Sequence, residues 1–456
     1  MTYAFIALFL ILMGYIAYFQ VAKSKEIIRS PYNPRLDSMA ERVVRGKILD
    51  HNGEVLATSE VLDDGSEVRY YPYENMFAHV IGYSAHGKSG MESSGNFELL
   101  TSNAFFLEKI IKEFKGEKNI GDNVVTTLDV GLQQAAYNAL GDRKGAVVIT
   151  EPSTGKILAM VSKPDFNPNS VEENWDSLNQ NTESVLLNRA TQGQYAPGSA
   201  FKLVTALEFM REDPNYQNYS YECTGSITIG DTTIPCAGHA VHGQVGLGES
   251  LAYSCNSSFC NIGSNLDVSS YQKTAKQLLF NSKLPGGMPY SKSKFKLSND
   301  DPMSEKMMTA MGQGRTQVSP YHMALITSAI ANQGVLMKPY LVDQITNYTG
   351  TIVKSYKPEE YQTLMTPEEA SQLKSYMTEV TSYGTASVMN GAGYTVAGKT
   401  GTAEYSDESS DKNHSWFVGF TNVDNPELAI SVIIEEADGN AKAVNVAKQI
   451  FDQYYY

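Results

Sequence analysis

Three short stretches of the chain carry residue types able to form and break an acyl bond. Ser199-Ala200-Phe201-Lys202 follows Pro197-Gly198, which stop any preceding element, and it opens a run of helix formers. Positions three apart share a helix face, so this spacing brings the Lys202 amine within reach of the Ser199 hydroxyl. A serine hydroxyl is a weak nucleophile until a neighbouring base takes its proton, and a buried lysine with a depressed pKa can be that base. The start of the helix adds backbone N–H groups and a dipole suited to an oxyanion. Ser254-Cys255-Asn256 follows a glycine-rich loop and precedes another helical stretch, so a hydroxyl that can relay a proton and an amide that can hold a substrate amide face one cleft. Lys399-Thr400-Gly401-Thr402 lies on a strand-like run. The lysine and threonine groups suit a carboxylate, and Gly401 removes a side chain where substrate would lie along a strand edge.

Each stretch alone has a plainer reading. Ser-x-x-Lys is usually a solvated helix face, Ser and Asn in a turn usually bond their own backbone, and a strand-edge lysine limits aggregation. The elements around the stretches give them weight. GAVVIT (Gly145 to Thr150), the turn Pro152-Ser153-Thr154-Gly155 and KILAMVS (Lys156 to Ser162) read as strand, turn and strand. Near the other end come YTVAGKTGTAE (Tyr394 to Glu404), SWFVGFTN (Ser415 to Asn422) and LAISVIIEE (Leu428 to Glu436), three more strands, then an amphipathic helix over Ala441 to Tyr454. Between the two groups the patterns are mostly helical, as in Ala200 to Met210 and Tyr321 to Asn332. The economical architecture is a mostly antiparallel sheet built from both ends of one domain, with a helical layer inserted between its second and third strands.

Ahead of that domain, Val43 to Ala57 reads as two short β runs around Asn52-Gly53, a strong hairpin signal, and Phe105 to Phe114 as an amphipathic helix. The chain therefore divides into an apolar anchor at 3–19, an elongated non-catalytic domain at 25–135 and a catalytic domain at 140–456. At 456 residues the chain exceeds what one core usually serves, and 42% hydrophobic with 19% charged residues is ordinary globular composition. A net charge of -14 without runs of Lys or Arg argues against nucleic acid as a partner. Tyr3 to Phe19 carries no charge, lacks a basic segment before it and a small-residue cleavage site after it, and reads as an uncleaved membrane helix. Lys23, Lys25 and Arg29 just after it would favour a cytoplasmic C-terminal side, but the tail before the run is too short for charge contrast. The chemistry requires the opposite orientation, with the catalytic domain outside the cell membrane.

Ser-x-x-Lys, Ser-x-Asn and Lys-Thr-Gly in this order are the signature of penicillin-binding proteins and the related serine β-lactamases. The chain resembles the class B penicillin-binding proteins, and the likeness runs through nearly all of it. It includes RGKILDHNGEVLA, YPYENMFAHVIGY (Tyr71 to Tyr83), GKSGMESS (Gly87 to Ser94), EPSTGKILAMVSKPDFNPN (Glu151 to Asn169), NRATQGQYAPGSAFK (Asn188 to Lys202), MGQGRTQVSP (Met311 to Pro320) and AGKTGTAE (Ala397 to Glu404). Ala200 stands where the family usually has threonine, Cys255 fills the variable middle of the second motif, and the N-terminal half is shorter than in larger members.

The resemblance implies an α+β transpeptidase fold on a pedestal domain. It implies that Ser199 attacks a D-Ala-D-Ala stem peptide, with Lys202 as base, Ser254 passing the proton to the departing nitrogen and Asn256 orienting the substrate amide. Lys399, Thr400 and Thr402 would hold the substrate carboxylate, and the Ser199 and Thr402 amides would form the oxyanion hole. β-Lactams would acylate the same serine, and a polytopic membrane glycan polymerase is the implied partner. Rival readings are a carboxypeptidase or β-lactamase that passes the acyl group to water, and a non-catalytic sensor or scaffold. No cofactor is expected. Cys223, Cys236, Cys255 and Cys260 read as small buried residues or free thiols. A zinc site on Cys236, His239 and His242 is disfavoured because no CxxC pair accompanies them, whereas a Cys223–Cys236 disulfide could close the hairpin between them.

Overall fold

Runs of β-branched residues from the two ends of the second half pair into one sheet. The computed structural model describes residues 2–23, 33, 35–404, 413–437 and 442–456. In it five antiparallel strands lie in the order Val396–Glu404, Asn413–Thr421, Ala429–Ala437, Gly145–Thr150 and Ile157–Lys163. Gly145–Thr150 is buried at all six positions, as in a sheet covered on both faces. Pro320–Ala331, buried along its whole length, packs on Gly145–Thr150 and Ala429–Ala437. Val130–Leu140 and Ala443–Tyr455 pack on each other and on the sheet. The expected helix over Ala441 to Tyr454 is thus present from Ala443, and Ala441 lies outside the described residues. At the end of the order, Val396–Glu404 has one neighbouring strand and one free edge among the described residues.

The expected hairpin forms, with Ile48 opposite Ala57 and Leu49 opposite Val55. Its turn is held by the Asp50 carboxylate, which accepts from the Asn52 and Glu54 amides at 2.8 Å each. These strands belong to a six-stranded sheet ordered Ile352–Ser355, Val342–Thr346, Asn123–Thr126, Ile48–Leu49, Val55–Val61 and Glu67–Tyr70. The stretch between the two strand groups of the second half is therefore not wholly helical, because two of its strands extend the N-terminal sheet. A second tie joins the halves: the Asn169 side chain accepts from the Tyr71 amide at 2.9 Å and donates to its carbonyl at 3.0 Å.

An ion network holds the N-terminal domain. Glu92 is fully buried and accepts from Arg45 Nε at 2.6 Å and Arg69 Nε at 2.7 Å. Burial pushes its carboxyl up, but the two guanidiniums outweigh that and hold it below the usual glutamate range. The amphipathic helix expected at Phe105 to Phe114 occupies Phe106–Lys115.

At the N-terminus one apolar helix runs from Thr2 to Tyr18 and continues through a π turn to Lys23, with every residue exposed. Its 22 residues span about 33 Å at a rise of about 1.5 Å each, enough to cross a bilayer core of about 30 Å. The helix fits a single-pass membrane anchor. Lys25 and Arg29, and the first residues of the expected pedestal, lie outside the described residues.

Candidate active site

The three motifs meet at the free edge of the five-stranded sheet. Gly198 to Phe201 form a single 3₁₀ turn that leads into the α-helix Lys202–Glu212. Gly198 has φ 52° and donates its N–H to the Gly312 carbonyl at 2.9 Å. A Cβ on Gly198 would lie 2.3 Å from the Thr402 carbonyl oxygen, and one on Gly312 would lie 1.8 Å from the Gly198 carbonyl oxygen. Glycine is needed at both positions, since the nucleophile turn is wedged between the edge strand and the MGQGRTQVSP segment. Trp416, buried on the neighbouring strand, donates its indole N–H to the Ala196 carbonyl at 3.0 Å and fixes the approach to the turn.

Lys202 is fully buried and its amine has three acceptors: the Ser254 carbonyl at 2.7 Å, Asn256 Oδ1 at 2.8 Å and Ser254 Oγ at 3.3 Å. The Ser199 hydroxyl is not among these partners. The i, i+3 spacing puts the lysine behind the serine, while packing against the helix Asn256–Asn265 aims its amine at the second motif. Burial without a carboxylate partner lowers the Lys202 pKa from the usual 10.5 to about 8.

Lys399 is also fully buried, donating to Ser254 Oγ at 3.1 Å and to the Thr400 carbonyl at 2.8 Å. Burial first, and the neighbouring Lys202 charge second, push its pKa well down. The two amines thus share the Ser254 hydroxyl, and two adjacent ammonium groups in a dry site oppose each other's protonation. Ser254 itself sits at φ 54°, a left-handed conformation that non-glycine residues adopt at a cost of order 1–3 kcal/mol. Its strain is held by the Cys255 amide bonded to the Ser250 carbonyl at 2.9 Å and by the helix that begins at Asn256. Asn256 also donates to the Pro235 carbonyl at 3.1 Å.

These groups border a cleft of 720 Å³ lined by Ser199, Ser254, Asn256, Thr400, Gly401 and Thr402 among others. Lys202 and Lys399 stand behind its wall. A Cβ on Gly401 would meet the Pro197 carbonyl oxygen and Trp416 Cβ at 3.0 Å, so this glycine serves close packing against the nucleophile turn as well as an open strand edge. Ser199 and Thr402 both line the cleft.

A family model described as the penicillin binding protein transpeptidase domain matches residues 145–455, and one described as the penicillin binding protein A dimerisation domain matches residues 45–124. The chain belongs to the penicillin-binding protein transpeptidase family. The peptidoglycan D,D-transpeptidase PbpA of Mycolicibacterium smegmatis is 29% identical over 447 residues, covering 91% of this chain and 89% of that protein. The D,D-transpeptidase domain of a peptidoglycan glycosyltransferase from Eggerthella lenta superposes with a TM-score of 0.81 at 30% identity, covering 91% of this chain and 98% of that one. Penicillin-binding protein A from M. tuberculosis, solved as its imipenem acyl-enzyme, superposes with a TM-score of 0.81 at 26% identity, over 90% of this chain and 99% of that one.

The sequence pattern of this penicillin-binding protein gives no role to several residues that the fold brings to the cleft. Thr385 Oγ1 lies 2.6 Å from Thr400 Oγ1 and orients that hydroxyl; nothing in its sequence surroundings singles it out. Gln313 joins the lining from MGQGRTQVSP, a stretch conspicuous in the sequence but without an evident chemical task. The four cysteines are all buried free thiols, so the expected Cys223–Cys236 disulfide is absent: their sulfurs are 3.7 Å apart, against about 2.05 Å for a bond.

Proposed function

We propose that this protein is a membrane-anchored peptidoglycan D,D-transpeptidase with Ser199 as its nucleophile. The observation that carries this reading is the pair of buried amines meeting at the Ser254 hydroxyl beside the Ser199 turn, within a chain of this family. In the first step Ser199 Oγ attacks the carbonyl between the two terminal D-alanines, and its proton passes to the neutral Lys202 amine. Amides of Ser199 and Thr402 take the oxyanion. Collapse breaks the peptide bond; the departing D-Ala nitrogen receives its proton through Ser254, leaving an ester on Ser199. Asn256 orients the substrate amide. The hydroxyls of Thr400 and Thr402 hold the carboxylate from the cleft wall, with the buried Lys399 amine behind them holding Ser254 in place. An amine of a second stem peptide then attacks the ester, forms the cross-link and frees the serine. β-Lactams enter the same first step and stop at the ester.

The catalytic unit at 140–456 is proposed to stand outside the cell membrane on the 25–135 pedestal, held by the helix at 3–19, where a polytopic glycan polymerase would supply nascent strands. The test is intact mass after incubation with penicillin. The mass rises by one antibiotic, Ser199→Ala abolishes the adduct, and Lys202→Ala slows its formation by about 10² or more. An adduct that formed equally on Ser199→Ala would end this reading.

A further inference from the structure

The amphipathic helix Phe106–Lys115 turns outward the face that a water-soluble domain would bury. Phe105, Phe106, Leu107, Ile111 and Phe114 are 53–89% exposed, and no residue of the helix is buried. On a helical repeat the four apolar residues within it share one side, while Glu108, Lys109 and Lys112 share the other. It is the charged side that rests on the protein. Those three residues are half-buried. Glu108 accepts from the Tyr348 hydroxyl, and the Lys112 ammonium lies 5.1 Å from the centre of the Tyr348 ring and 3.8 Å from Glu108. A helix that packs by its polar side leaves a continuous apolar side to some other surface.

The helix is fixed in that pose at both ends. Before it, the Asn103 amide donates to Asp122 Oδ1 at 2.9 Å. After it, Gly116 at φ 71° closes the last turn, the Glu117 amide bonds back to the Lys112 carbonyl at 2.9 Å, and Lys118 reaches Glu67 at 2.6 Å. Asn119–Ile120, which follow directly, pair in parallel with Val43–Val44, the first strand after the N-terminal apolar helix. Lys23, the last residue of that apolar helix, and Asn33 are ten positions apart, a tether of at most about 36 Å. The helix Phe106–Lys115 therefore lies beside the strand by which the chain arrives from the membrane, within reach of the bilayer surface. Charge points the same way. Phe105 to Lys118 holds Lys109, Lys112, Lys115 and Lys118 against Glu108, Glu113 and Glu117, a net positive stretch in a chain of net charge -14. Phenylalanine and leucine on one side with lysines beside them are the make-up of a helix that lies in a membrane interface, where anionic headgroups attract the lysines.

We propose that Phe106–Lys115 is an interfacial membrane helix: Phe105, Phe106, Leu107, Ile111 and Phe114 lie at the boundary of headgroups and acyl chains in the bilayer that the N-terminal helix crosses, with the lysines at headgroup level. The contact gives the N-terminal domain a second attachment to the membrane besides its tether. Tyr348, on which the helix rests, stands in the turn between Val342–Thr346 and Ile352–Ser355. Those strands come from the second half of the chain and extend the N-terminal sheet, so the attachment bears on both halves. The inference rests on the membrane anchor and not on the chemistry at Ser199.

The test uses the full-length chain reconstituted in vesicles of phosphatidylglycerol and phosphatidylcholine, with a nitroxide on Ile111→Cys. The four native thiols are buried, and the unsubstituted protein taken through the same labelling gives the background. Accessibility to oxygen, which concentrates in lipid, is compared with accessibility to a water-soluble nickel chelate. Labels on Ile16→Cys in the anchor and on Gln217→Cys, an exposed position of the catalytic domain, set the lipid and water limits. The Ile111 label should read near the lipid limit. Phe106→Glu combined with Phe114→Glu should return it to the water limit and leave the rate of penicillin acylation unchanged, which shows that the variant is folded. An Ile111 label at the water limit in the otherwise unchanged chain, with Ile16 in lipid, would overturn the proposal and spare the anchor. A label shielded from both reagents, the signature of a protein interface such as one with a second copy, would also overturn it. An Ile16 label at the water limit would remove the anchor reading and this proposal with it. An Ile111 label in lipid on a chain that penicillin does not acylate would leave the membrane contact standing and count against the transpeptidase reading alone.

Discussion

If Lys202 is the base for acylation, the rate at which penicillin labels Ser199 must follow the titration of one buried amine. The amine has no carboxylate among its partners, stands fully buried and shares the Ser254 hydroxyl with Lys399. Lowering its pKa from 10.5 to about 8 means that burial disfavours the ammonium by about 3 kcal/mol relative to the free amine. The neutral form is the reactive one. At pH 6 about one molecule in a hundred carries it, at pH 7 about one in ten, and at pH 9 about nine in ten. Acylation should therefore rise about tenfold between pH 6 and pH 7, bend near pH 8 and reach a plateau above it. The measurement is the second-order rate constant for adduct formation, read by stopped-flow with a fluorescent penicillin or by quenched intact mass, on one enzyme preparation checked for folding at each pH. A profile that is flat from pH 6 to 9, or that falls as pH rises, would refute the assignment of a neutral Lys202 as the base.

Other outcomes follow from the packing and from the chemistry of the ester. Glu92→Ala leaves two buried guanidiniums without their carboxylate and should destabilise the protein by about 3–5 kcal/mol, seen as a lower thermal midpoint, whereas Glu92→Gln, which keeps part of the hydrogen bonding, should cost less. Gly312→Ala puts a methyl into the Gly198 carbonyl at a backbone φ of 86° and should cost at least about 2 kcal/mol, together with a slower acylation rate, because the displaced group belongs to the nucleophile turn. The penicilloyl adduct should last for many minutes to hours: Glu305, Glu359, Glu360, Glu368, Glu369 and Glu379 lie between the second and third motifs, and none stands in the E-x-x-L-N pattern that holds the hydrolytic water in class A β-lactamases. Loss of adduct mass within seconds, with antibiotic turnover, would instead identify a hydrolase.

Local spacing carried much of this protein's organisation. The turn before Ser199, the helix after it, the Asn52-Gly53 hairpin and the strands at Gly145, Ser415 and Leu428 are each set by residues within about ten positions, where backbone preference and apolar period act directly. The order of the three motifs followed from the same reading. What the motifs do to each other was decided by packing. Three-residue spacing puts Lys202 on the Ser199 side of its helix, yet the amine's hydrogen bonds run to Ser254 and Asn256, more than fifty positions away. The strand pattern marks Lys399 as a group for a carboxylate without saying how deep it lies, and packing buries it against Ser254. Val342–Thr346 pairs with Asn123–Thr126 across more than two hundred positions, a register no local pattern encodes. Cys223, Cys236, His242 and Cys255 are the sharpest case, their sulfur and ring nitrogen atoms all lying within 4.8 Å of one another. Successive members are separated by 13, 6 and 13 positions, with no pair at the close spacing by which metal sites are usually read. Their convergence depends on a strand pair, a hairpin and a helix start meeting at one point, and that meeting exists only once the chain has packed.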